Sequence, residues 1–150
     1  MAGENRWSGY KTAMSTLLST DLNALASGST SVLSVEQSNT NTHRFIDIEL
    51  NLASVNITST SAQVDVFVVA SIDGTNYPEF DVGANPGAHN MNYFVGSVII
   101  DSSSSAHRGH LYDVFVRFEK WKLAVRNQTG IALAASGNTV AFRYKNDSFT

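Results

Sequence analysis

The chain reads as an all-β protein: an antiparallel β-sandwich of the jelly-roll kind, preceded by an N-terminal arm and a short helix. Three observations predict this. Phe45 to Leu52 alternates strictly, with Ile46, Ile48, Leu50 and Leu52 on one face and Asp47, Glu49 and Asn51 on the other. Trp121 to Tyr144 reads as strands around Trp121-Leu123-Val125, Ile131-Leu133 and Val140-Phe142-Tyr144, separated by the turn residues Asn127-Gln128-Thr129-Gly130 and Ser136-Gly137-Asn138. The whole chain counts to about eight strands with turn signals roughly every 8 to 12 residues, and no β-α-β alternation breaks that pattern.

Taken in order, residues 1–28 form the arm and helix and residues 29–150 the sandwich domain. Met1 to Asn5 is polar, and Trp7 and Tyr10 then place two large rings among small residues. Met14, Leu17, Leu18, Leu22 and Leu25 recur at helical intervals, so the spacing predicts a short helix near Thr20 to Ala26, stopped by Gly28, after an extended arm. Ser31 to Val35 is a short strand and Ser38 to Thr42 a polar loop. Ala62 to Ile72 is a long strand with Val64, Val66, Val68, Ala70 and Ile72 inward. Phe67 and Val69 lie on its other side, which implies a packed partner over that face. Asp73-Gly74-Thr75-Asn76 turns the chain, and Glu79 to Asn92 is a long surface loop. Tyr93 to Ile100 is a strand. Asp101 to Ser105 breaks it before a strand from His110 to Phe118 with Tyr112, Val114, Val116 and Phe118 on one side.

Composition narrows the function. A chain of 150 residues with 43% apolar content can close one core without disulfides, and the absence of cysteine excludes thiolate metal sites and cysteine nucleophiles. Only 15% of residues are charged, whereas Ser, Thr and Asn abound. Hydroxyls and amides pair across an interface at less desolvation cost than charges do, which suits a protein that packs into an assembly. The net charge of −3 and the scattered Lys and Arg provide no footprint for nucleic acid. No run approaches the ~20 apolar residues of a membrane span, and a secretory signal pattern is missing, so assembly in a cytoplasm is expected.

Reactive groups do not assemble into a catalytic pattern, and the expectation is a protein that is not an enzyme and carries no cofactor or metal. His107 and His110 fall in a stretch read as an exposed loop, while His43 and His89 stand alone in polar segments. Asp47 and Glu49 share the solvated face of one strand; Asp65 and Asp113 are single acids within apolar strands. No Gly-x-Ser-x-Gly elbow is present. A carbohydrate-binding module is a rival reading, because Tyr77, Phe80, Tyr93 and Phe94 flank the long loop as candidate stacking rings; the alternative is that these rings anchor the loop on the core.

Several motifs together carry a resemblance. Trp7, then Leu22-Asn23-Ala24-Leu25-Ala26-Ser27-Gly28, Ser71-Ile72-Asp73-Gly74-Thr75-Asn76-Tyr77, Trp121-Lys122-Leu123 and Ala135-Ser136-Gly137-Asn138-Thr139-Val140 make the chain similar to a family of small virion proteins of tailed bacteriophages. The likeness departs in Glu79 to Asn92 and in Ser102 to Tyr112, where Ala-His-Arg-Gly-His replaces a proline-containing turn. It implies a virion location and a structural role, foremost a capsid decoration or cement protein. Such a protein would be a homotrimer bound to the major capsid protein. A place in the tail, neck or baseplate is the alternative within the same class. The interface residues expected on this reading are Trp7, Tyr10, Leu17, Leu18, Tyr77 and Phe80.

Overall fold

The computed structural model describes residues 12–84, 87–116 and 118–145, and the backbone of 5–7 and 147–149. Among the described residues ten strands follow one another: β1 Asn5–Trp7, β2 Ser15–Leu18, β3 Gln37–Ser38, β4 Phe45–Leu52, β5 Gln63–Ser71, β6 Phe94–Ile99, β7 His107–Phe115, β8 Lys120–Gln128, β9 Thr139–Lys145 and β10 Asp147–Phe149. Eight of them build two four-stranded sheets, ordered β2-β9-β4-β7 and β3-β8-β5-β6, while β1 and β10 pair separately. Every pairing is antiparallel. From β2 to β9 the chain crosses between the sheets at every step except the β5-β6 hairpin, and this order is the jelly roll.

Period-two patterning places the core. In β4, Ile46, Ile48, Leu50 and Leu52 are buried, and in β8 Trp121, Leu123 and Val125 meet them from the other sheet's side of the sandwich. From β9, Val140, Phe142 and Tyr144 complete this centre, with the Phe142 ring 4.9 Å from Trp121 and perpendicular to it. Trp121 Nε1 donates to the Tyr144 hydroxyl at 3.3 Å, and that hydroxyl donates to the Ser38 carbonyl at 3.2 Å, so the large rings bury no unpaired polar tip.

Several local expectations give way to tertiary structure. The apparent helical stripe before Gly28 is a strand followed by a single 3-10 turn, Thr20–Leu22. Leu17 and Leu18 are adjacent yet both buried, because the register with β9 slips between Thr16 and Leu18 and turns two successive side chains inward. That doublet, followed by Leu22, imitates helical spacing. Residues 31–35 are an irregular strip beside β8 instead of a strand. Ser31 N and Ser34 N donate to the Val125 and Leu123 carbonyls, and the two serine hydroxyls accept from Val125 N and Leu123 N. The hydroxyls thus stand in for main-chain carbonyls, letting the strip advance from 31 to 34 to 37 while β8 steps from 125 to 123 to 121.

Residues 131–133 also form no strand. Leu133 is nonetheless buried, and its N–H donates to the Leu25 carbonyl. Of the residues expected on one side of the strand to Phe118, Val114 in β7 and Val116 just beyond it are buried, whereas Tyr112 is 62% exposed and Phe118, also beyond β7, is 37% exposed. A bulge explains Tyr112: Val114 faces Ile46 and Leu111 faces Ile48, so two residues oppose Asp47 alone, and Asp113 takes the left-handed φ of 56°. Asp47 is drawn into this bulge. It is buried, not solvated, and its Oδ1 accepts from Asp113 N at 3.1 Å.

The second face of β5 is covered by the chain itself. Phe67 and Val69 are fully buried, and the Phe67 ring packs edge-on against Phe80 and Phe94 at 5.7 and 5.9 Å. No second molecule is needed to shield that face. Ile72, expected inward, is 96% exposed because β5 stops at Ser71 and Asp73 folds the chain back, accepting from Thr75 N and Asn76 N.

Candidate adhesion surface

One end of the sandwich combines strand ends with exposed apolar side chains. There β4 begins, β5 ends, β6 begins and β7 ends. The turn at Asp73 throws Ile72 outward, and the same end exposes Phe94, Phe115 and Phe118. Together with Ala70 and Pro78 these side chains line an open cleft of about 430 Å³. Phe115 also meets Phe45 edge-on at 5.9 Å, and the Arg44 guanidinium lies 5.6 Å from the Phe45 ring centre. Scattered exposed apolar side chains are ordinary, but a contiguous cleft of aromatic and branched residues is a surface suited to another macromolecule.

Strand β9 ends at this same end. Lys145, the last residue of β9, pairs with Phe45, and β10 follows at Asp147 to pair with β1. Trp7 belongs to the β1-β10 ribbon; its side chain and Tyr10 lie outside the described residues.

The remaining expected interface residues serve the chain's own packing. Leu17 and Leu18 are core residues, since the bulge in β2 turns both inward, and they are not available to a partner. Tyr77 straps the long loop down: its hydroxyl donates to Glu36 at 2.9 Å and its ring lies under the Lys122 ammonium at 4.3 Å. Burial, and then the neighbouring Glu36 carboxylate, push the Tyr77 hydroxyl up to about 12. Phe80 rests on Phe67 and Tyr93. Tyr77, Phe80 and Tyr93 are half-buried and anchor the loop on the sheet.

The residues that do line the cleft, Ile72, Phe115 and Phe118, looked like inward or strand-interior positions in the sequence. Their signal was present only as a mismatch of phase: Phe115 alternates against Val114 and Val116, and Ile72 touches a turn. His107 and His110 both lie in β7 rather than in a loop, and they are not brought together: His107 approaches Ser103 and His110 approaches Glu49. Among the described residues no group of three or more His, Asp or Glu side chains could hold a metal ion, and no helix is long and apolar enough to cross a membrane. No protein-family model matches the chain, and no curated protein matches it.

Proposed function

We propose that this chain is a structural protein of the tailed-bacteriophage virion, a capsid decoration protein that seats its apolar end on the major capsid protein and ties shell subunits together. On this reading it acts as a homotrimer, without catalysis, cofactor or contact to nucleic acid or membrane, and joins the particle in the host cytoplasm. The observation that carries the proposal is the exposed cleft of Ile72, Phe94, Phe115 and Phe118 on a rigid sandwich end. A preformed apolar surface on a rigid body binds without an ordering penalty, and many equivalent sites on one shell multiply weak contacts. The turn motifs shared with small phage virion proteins support the same class.

The test is occupancy on virions carrying Ile72→Asp or Phe115→Ser. A central contact contributes about 2 kcal/mol or more, so each substitution is expected to lower shell occupancy on the order of thirtyfold at limiting protein. Full occupancy of both variants overturns the assignment of this surface. Cryo-microscopy of the intact particle decides the location: hundreds of copies over the shell support decoration, and a few copies at one vertex replace it with a tail, neck or baseplate role.

A further inference from the structure

The outer face of the β2-β9-β4-β7 sheet carries a second cleft of about 230 Å³, lined by a different set of residues from the apolar end. Its wall is a ring platform. Tyr112 is 62% exposed and stacks on His110, with ring centres 5.6 Å apart and planes 15° from parallel. His110 is itself held by Glu49 Oε2 at 3.0 Å, and Arg108 binds the same oxygen through Nε at 3.0 Å and Nη2 at 2.5 Å. Asn51 occupies the other Glu49 oxygen at 2.9 Å. The platform is therefore fixed before any ligand arrives.

The floor is balanced in charge. It presents two carboxylates, Asp47 and Glu49, and two guanidinium groups, Arg108 and Arg143. The Asp47 side chain is only 5% exposed, and its Oδ2 lies 3.7 Å from Arg143 Nε and accepts no hydrogen bond. The two atoms face each other as a buried ion pair just beyond hydrogen-bond distance, which fixes the Arg143 side chain in the floor. An anionic ligand would meet both carboxylates and a cationic one both guanidinium groups. A neutral molecule rich in hydroxyls can donate to the acids, accept from the arginines and lay an apolar ring face on Tyr112.

We infer that this cleft binds a neutral saccharide, with Tyr112 as the stacking ring and Glu49, Arg108 and Arg143 as its hydrogen-bonding partners. The sugar is either free in solution or part of a surface glycan, and the two sources share this chemistry. The cleft is distinct from the shell-binding end, so the outcome here is independent of shell occupancy.

The experiment uses the full chain in two arms: an array of immobilised neutral, sialylated and sulfated glycans, and titration of the ¹⁵N-labelled protein with glucose, galactose and N-acetylglucosamine. Expected is binding of at least one neutral glycan in either arm, with shifts at Arg108 and Tyr112 amides where a free sugar binds. Tyr112→Ala should weaken binding at least tenfold, Tyr112→Phe should retain it, and both should keep the wild-type circular dichroism spectrum. Binding confined to the array assigns a surface glycan, and binding of free sugar assigns a soluble one; both support the site. No neutral glycan bound in either arm, binding restricted to sialylated or sulfated glycans, or binding undiminished in Tyr112→Ala overturns it.

Discussion

Gly109 in the edge strand β7 sits against Val98 in the edge strand β6 of the other sheet, and replacing it tests the packing argument directly. A Cβ built on Gly109 would lie 2.1 Å from Val98 Cγ1, against an ordinary contact of about 3.5–4.0 Å. Neither backbone is free to retreat, because Gly109 pairs with Leu50 in β4 and Val98 pairs with Val64 in β5. Val98 is β-branched and stiff at χ1, so relief requires an off-rotamer side chain or separated sheets, an overpacking cost of about 1–3 kcal/mol. A stiffer unfolded chain offsets roughly 0.4–1 kcal/mol of this. Gly109→Ala should therefore destabilise by about 1–2 kcal/mol, or roughly 2–8 °C in Tm. Val98→Ala alone removes two methyl groups from a buried site and should cost about 2 kcal/mol. In the double variant the new methyl enters the space left by Val98, so urea and thermal unfolding should reveal a favourable coupling of at least ~1 kcal/mol. Additivity within about 0.5 kcal/mol would refute the claim that these two positions compete for one volume.

Further outcomes are expected elsewhere in the fold. Asn127 is fully buried, donates to the Leu25 and Ile131 carbonyls and accepts from Thr129 N and Oγ1. Asn127→Asp sets a carboxylate oxygen against those two carbonyls and should destabilise by about 3 kcal/mol or more at pH 7, with the Tm deficit narrowing as acid neutralises the new group. Ser34→Ala leaves the buried Leu123 N–H without its hydroxyl acceptor, and chemical denaturation should register a loss of about 1–3 kcal/mol. Hydrogen bonds from Asn51, Arg108 and His110 lower the Glu49 carboxyl to about 2. Because the folded state holds that proton less tightly than the unfolded state, Glu49 contributes stability above about pH 4.5 that is lost as pH falls toward 2. The Tm difference between wild type and Glu49→Gln should accordingly shrink across that interval.

Sequence alone determined the class of fold and much of the core, because alternation in β4, β8 and β9 leaves a two-sided pleated strand only one way to bury Ile46, Leu123 or Phe142. It also marked the turn at Asp73, whose carboxylate caps its own backbone from within a few residues. Where one residue was inserted into a ladder, the alternation misled: the bulges at Leu17 and at Tyr112 and Asp113 invert which side chains enter the core. Tertiary structure alone decided the strand order, the self-made cover over Phe67, and the two candidate surfaces. Ile72, Phe94, Phe115 and Phe118 converge on one cleft, and Glu49, Arg108 and Tyr112 on another, only because strands distant in the chain end or pair side by side. Periodicity reports which face of a strand a residue occupies, but a surface is made by neighbours that hydrogen bonding between distant segments selects.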